Sequence, residues 1–148
     1  MDDHEKTRLA KLLWRKQRRH RTPDVLRAWE QQGLCATSLP DDRQEELVLW
    51  LRTNWVLPHH TVADVGDHLS AIVGGEDFMI VMNFWDWDSG VAVLAPAQGL
   101  LGIKSKLRQI YPDGFLVADQ RSQSGLIVDF DDHADGAEVS VIGSELRA

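Results

Sequence analysis

Two tryptophans and two aspartates alternate in the stretch FMIVMNFWDWDSGVAVLAP, residues 78–96, as Trp85, Asp86, Trp87 and Asp88, directly after an apolar run. Carboxylates two positions apart at a strand end are the raw material of nucleophilic or acid/base chemistry beside a divalent cation. His60, Asp64 and His68 fall at i, i+4 and i+8, a spacing that would stack three metal ligands along one stripe of a continuous helix. Cys35, the single cysteine, would need a neighbouring base to act as a thiolate, and its apolar neighbours Leu34 and Ala36 point to packing.

Each of these has a plainer reading. The apolar strand ending in Asp86 and Asp88 resembles the nucleophile motif of haloacid-dehalogenase-like phosphatases, which would make Asp86 the attacking carboxylate and Asp88 the acid/base beside magnesium. It departs from that motif at Gly90, where the family favours threonine, and the residues that follow lack the alternating strand and helix units of the family's parallel sheet. Asp88, Ser89 and Gly90 read instead as a turn between two apolar strands, with Trp85 and Trp87 on one strand face and Asp86 and Asp88 on the other. The acidic run DFDDHADG, residues 129–136, has the composition of a calcium loop without its spacing, since the bidentate glutamate position falls on Ile142. It reads as an acidic turn between strands. His60 precedes the expected helix cap Thr61, and Asp64 with His68 reads as a surface pair across one helical turn. No HExxH, CxxC pair, GxSxG or GxxxxGK is present, so no catalytic residue, metal ligand or cofactor is expected.

The elements that position these residues fall in two halves. A helix over residues 3–19 carries Leu9, Leu12 and Leu13 at i, i+3, i+4 spacing, and a second begins at Thr22 and Pro23 and stops at Gly33. A third follows LPDD and lines up Leu47, Trp50, Leu51 and Trp55, and a fourth runs from Thr61 to Gly74. Strands follow at 78–85, 91–95, 115–119, 126–130 and 138–142, with a helix at 98–110 between the second and third. The expected fold is α+β in a single domain over residues 1–148. Its N-terminal helices precede a largely antiparallel sheet of about five strands with one crossing helix.

Composition is that of a globular chain, 43% hydrophobic and 26% charged, with no apolar stretch long enough to span a membrane. The first residues lack the apolar core of a secretory signal, and the lone cysteine suits a reducing compartment, so a cytoplasmic protein is expected. The net charge of −7 hides an asymmetry. Residues 1–22 carry eight Lys/Arg against three Asp/Glu, and the remainder eight against twenty, so a basic helical arm over residues 1–21 sits on an acidic body. Such a body repels phosphate and attracts cationic partners. Nucleic acid is therefore expected only through the arm, and the arm itself is expected to dock on its own acidic body.

The stretch YPDGFLVADQRSQSGLIVDFDD, residues 111–132, with two short strands and an acidic exit, resembles the small acidic immunity proteins of bacterial toxin systems. That resemblance implies a non-catalytic bacterial protein that binds a cationic toxin and occludes it. Asp86, Asp88, Asp129, Asp131, Asp132 and Asp135 would supply the electrostatic field, with Trp85 or Trp87 as apolar anchor. Two alternatives stand beside it: an acidic, dimeric secretion chaperone holding an effector segment in an apolar groove, and a metal-dependent hydrolase built on the Asp86 and Asp88 pair.

Overall fold

The computed structural model of the chain describes residues 2–58, 60–87, 90–121, 124–130 and 136–143. Its first element is one helix rather than the two expected: α1 runs unbroken over Asp3–Gln31, 29 residues, with Pro23 inside it. Thr22 does not cap a new helix; its hydroxyl donates to the Arg18 carbonyl at 2.8 Å, one turn back. The helix survives the donor that proline removes because both halves are anchored. Arg15 and Arg18 bind acids of the next helix, and Trp29 is fully buried in the core.

A two-residue strand β1 (Thr37–Ser38) leads to α2 (Asp41–Asn54), strand β2 (His60–Val62) and α3 (Gly66–Val73). β3 (Phe78–Asn83) and β4 (Val93–Pro96) form an antiparallel pair. The expected crossing helix is broken into α4 (Ala97–Gly102), a 3-10 turn at 104–106 and α5 (Leu107–Ile110). Gly99 lies within α4, where its missing Cβ lets Leu34 approach; an added Cβ would lie 2.3 Å from Leu34 Cδ1. β5 (Gly114–Ala118), β6 (Ser124–Asp129) and β7 (Ala137–Gly143) complete the chain. The described residues thus hold five α-helices and a seven-stranded sheet, ordered β1-β4-β3-β5-β6-β7-β2, in which every pairing is antiparallel. The sheet exceeds the expected five strands because β1 and β2 are short, polar edge strands without the alternating apolar pattern. Thr61, expected as a helix cap, is instead paired with Glu138 in β2, so α3 starts later, at Gly66.

Both faces of the sheet are covered. Met79, Val81, Phe115, Val117, Leu126 and Val128 face one core with Trp29, Leu69, Leu100 and Leu107 from α1, α3, α4 and α5. Ile80, Met82, Leu116, Ala118 and Ile127 face the other, under Leu47 and Leu51 of α2 with Trp50, Trp55 and Trp87 around them. Burial on both sides explains why the central strands read as continuous apolar runs, a texture more usual in parallel sheets. Trp29 Nε1 donates to the buried Tyr111 hydroxyl at 3.1 Å, and burial pushes that phenol above its ordinary pKa, so it stays a neutral partner.

One backbone position controls the sheet end that matters below. Gly114 opens β5 at φ 137°, and a Cβ there would lie 2.2 Å from the Val128 carbonyl oxygen. Gly114→Ala should therefore cost about 3 kcal/mol, read as a lower urea midpoint at unchanged m-value. A loss below about 1 kcal/mol would mean that β5 and β6 can separate there without penalty.

Candidate functional site

The residues 84–92 connect β3 to β4 and hold the alternating tryptophans and aspartates. β3 closes at Asn83, and Phe84 N donates to the Gly114 carbonyl at 3.1 Å, so Trp85 to Trp87 lie in a turn rather than on a strand. This corrects the expectation that the two tryptophans share one strand face. Trp87 folds back and stacks on Trp55, ring centroids 5.0 Å apart and planes 18° apart, while Trp55 also lies 5.9 Å from Phe84. Trp85 turns the other way. It touches Phe84 edge-on at 5.5 Å and remains 67% exposed.

Asp86 ties the turn together. Its Oδ1 accepts from Asn83 Nδ2 at 2.9 Å, its Oδ2 accepts from Arg21 of α1, and its carbonyl accepts from Gly90 N at 2.5 Å. Gly90 is needed for this closeness, since a Cβ would lie 2.7 Å from the Asp86 carbonyl oxygen. Behind the turn, the buried Gln44 of α2 donates through Nε2 to the Gly90 carbonyl and accepts from Ala92 N at 3.2 Å through Oε1. The side-chain amide here serves the Gly90 carbonyl and the Ala92 N–H in place of a backbone partner. Both carboxylate oxygens of Asp86 are thus engaged, one by β3 and one by α1.

The sheet topology brings the second acidic segment to the same end. β3 finishes where β5 starts, and the register aligns Gly114, Asp129 and Glu138 across β5, β6 and β7. Asp113 is exposed one residue before β5, and Asp129 and Glu138 are half-buried. Trp85, Asp86, Trp87 and Asp129 are therefore at one end of the sheet; Asp88, Asp131, Asp132 and Asp135 lie outside the described residues. A cation shares this end: Arg108 lies over the Phe130 ring at 4.2 Å and donates from Nη2 to the Gly136 carbonyl at 2.9 Å.

The histidine stripe does not exist as a helix face. His60 belongs to β2, His68 to α3, and Asp64 lies between them, accepting from Gly66 N at 2.8 Å. Among the described residues no group of three or more His, Cys, Asp or Glu is placed to hold a metal ion. Cys35, expected in packing, is exposed.

A charge network joins α1, the arm expected to dock on the acidic body, to α2. Glu45 accepts from Arg15 Nε at 2.7 Å and Nη2 at 2.8 Å, from Arg18 Nη2 at 3.3 Å and from Lys11 Nζ at 3.2 Å. Arg18, only 2% exposed, also reaches Asp41 at 3.0 Å and lies over the Trp14 ring at 4.8 Å. Beside this network a groove of about 590 Å³ is lined by Leu13, Trp14, Val48, Leu49 and Arg52. The signal in the sequence was the meeting of a cationic helix with the acid-rich start of α2, Asp41, Asp42, Glu45 and Glu46, which also suits the helix dipole. No known protein family, curated protein or solved structure matches the chain.

The hydrogen bonds from Arg15, reinforced by Lys11 and Arg18, hold the Glu45 carboxyl at about 2, below its ordinary 4.5. A depressed folded pKa adds stability that is complete above the unfolded value of 4.5 and is lost as pH falls towards about 2. Glu45→Gln should therefore melt below the wild type at pH 7, with the two melting temperatures converging as pH drops through that window. Parallel melting curves from pH 7 to pH 2 would remove Glu45 from the account.

Proposed function

We propose that the chain is a non-catalytic protein-binding protein that docks a cationic protein on the acidic, tryptophan-bearing end of its sheet, as an immunity protein docks a toxin. The observation that carries this reading is Trp85, a large aromatic left 67% exposed beside Asp86 while its neighbour Trp87 is packed away. Exposed aromatics flanked by charge are the usual anchors of protein interfaces, because they desolvate a large area at low entropy cost. Asp113, Asp129 and Glu138 at the same end contribute to a field that steers a cationic partner. The Arg21 to Asp86 ion pair is open on both sides, with 47% and 28% of the two side chains exposed, and such pairs contribute at most about 1 kcal/mol. A partner's arginine can therefore replace Arg21 at little cost. That exchange supports competition between the chain's own arm and its ligand.

The apolar groove between α1 and α2 favours a second reading, the acidic chaperone, in which an effector segment would lie along Leu13, Trp14 and Leu49. The hydrolase reading requires Asp86 to leave both Asn83 and Arg21.

The test is affinity capture from native cells at low and high salt, followed by kinetics with the protein recovered. A single basic, folded partner released by salt is the expected outcome. Trp85→Ala should then raise the dissociation rate about 30-fold or more, about 2 kcal/mol, and Asp86→Lys with Asp129→Lys should slow association about tenfold. Wild-type rates in both variants would place the partner on another surface, and capture of an unfolded effector would favour the chaperone.

A further inference from the structure

From Lys6 to Arg21, α1 holds eight Lys/Arg and no Asp/Glu, its acids being confined to the cap Asp2 and the first turn. The helix sorts these cations into two sets. Lys11, Arg15 and Arg18, at i, i+4 and i+7, face α2 and are matched by Glu45, Asp41 and Asp42. Lys6, Arg8, Lys16 and Arg19 are exposed and form no ion pair among the described residues. A pitch of 3.6 residues per turn sets Lys6, Leu9, Leu13, Lys16 and His20 on the side opposite the buried Arg18, with Leu12 and Arg19 beside them. The three leucines in this set are 44%, 46% and 57% exposed. Free cations and bare aliphatic side chains therefore alternate on one face.

We propose that this face docks on an anionic lipid surface, with α1 lying in the headgroup plane, Leu9, Leu12 and Leu13 entering the acyl boundary, and Lys6, Arg8, Lys16 and Arg19 meeting lipid phosphates. Charge decides the occupant. A second copy, or any cationic protein, would set like charge against like. A nucleic acid would satisfy the cations and leave the leucines facing a phosphate backbone that offers them nothing. An anionic bilayer satisfies both, because its phosphates lie just above hydrocarbon and the long stems of lysine and arginine keep their charged ends at the headgroups while the leucines go deeper. A groove of about 490 Å³ lined by Leu13, Lys16, Gln17, His20 and Arg21 repeats this pairing of aliphatic and cationic groups. Leu49, 63% exposed, and the exposed Arg52 carry it onto α2 across the groove they share with Leu13. The ties of Arg15 and Arg18 to α2 hold α1 helical beforehand, so docking needs no coil-to-helix ordering. The inference uses a face distinct from the sheet end and does not depend on the reading given for it.

The experiment is co-flotation of the purified full chain with vesicles of phosphatidylcholine alone and of phosphatidylcholine with about 30% phosphatidylglycerol. At about 0.1 M salt the chain should partition onto the anionic vesicles at least tenfold more strongly than onto the neutral ones, and about 0.5 M salt should weaken that binding. Lys16→Glu with Arg19→Glu, and separately Leu9→Gln with Leu13→Gln, should each lower the partition at least tenfold while circular dichroism and melting temperature hold. Those residues lie on exposed turns, so an unchanged spectrum separates lost docking from lost fold. Trp85→Ala should float as the wild type does; its loss would move the contact to the sheet end and overturn the assignment to α1. No flotation, equal flotation with both vesicles, or wild-type flotation by either double variant overturns the proposal. So does a wild type that ignores vesicles and binds a single-stranded oligonucleotide with an affinity unchanged by Leu9→Gln with Leu13→Gln, which assigns the cations to nucleic acid.

Discussion

A sheet whose strands are apolar on both sides must be covered twice, and the rest of the fold follows from that requirement. α2 covers one face through Leu47 and Leu51, and α3, α4 and α5 cover the other. α1 serves both layers. Its first half is held to α2 by Glu45, Asp41 and Asp42, and its last turns deliver Trp29 to the opposite core. One long helix linking two layers explains the tolerance of Pro23: breaking the helix there would detach either the ionic anchor or the buried tryptophan. The missing hydrogen bond costs less than losing either, since fully burying a large apolar side chain is worth on the order of 2–3 kcal/mol.

The same geometry redistributes the charge asymmetry of the chain. Lys11, Arg15 and Arg18 pair with acids of α2, and Arg21 with Asp86, so four of the arm's cations are matched to the body's carboxylates. Arg18 is the expensive one. A buried guanidinium loses its hydration, and among the described residues its Nε and Nη1 find no partner while Nη2 serves Asp41 and Glu45. A buried ion pair of this kind sets geometry more than stability: it fixes the register in which α1 lies on α2. Lys6, Arg8, Lys16 and Arg19 remain outside that register, exposed around the leucine stripe.

How much of this was legible in the sequence differs by feature and for physical reasons. The central strands were readable because double burial makes them continuous apolar runs, and α2 because its apolar residues recur at helical spacing above an acidic first turn. β1 and β2 were not, since a two- or three-residue edge strand is defined by its partner's register and not by its own pattern. Proline at 23 with threonine before it is a strong local start signal, and only the long-range anchors at Arg15 and Trp29 overrule it. The closeness of residues 84–87 to Asp129 was equally out of reach, because it arises from the order in which β3, β5 and β6 lie side by side.

The alternating tryptophans and aspartates show how one short pattern can suggest catalysis and perform architecture. A nucleophilic carboxylate must present a free oxygen to its substrate. Asp86 presents both of its oxygens to the protein, one to Asn83 at the end of β3 and one to Arg21 on α1, and its carbonyl to Gly90. The two tryptophans that flank Asp86 differ in placement, Trp87 packed and Trp85 exposed. Trp87 reaches Trp55 and seals the core under α2. Trp85 touches Phe84 edge-on and stays exposed. The bonds that hold Asp86 to β3 and α1 thus go with a turn that leaves Trp85 exposed.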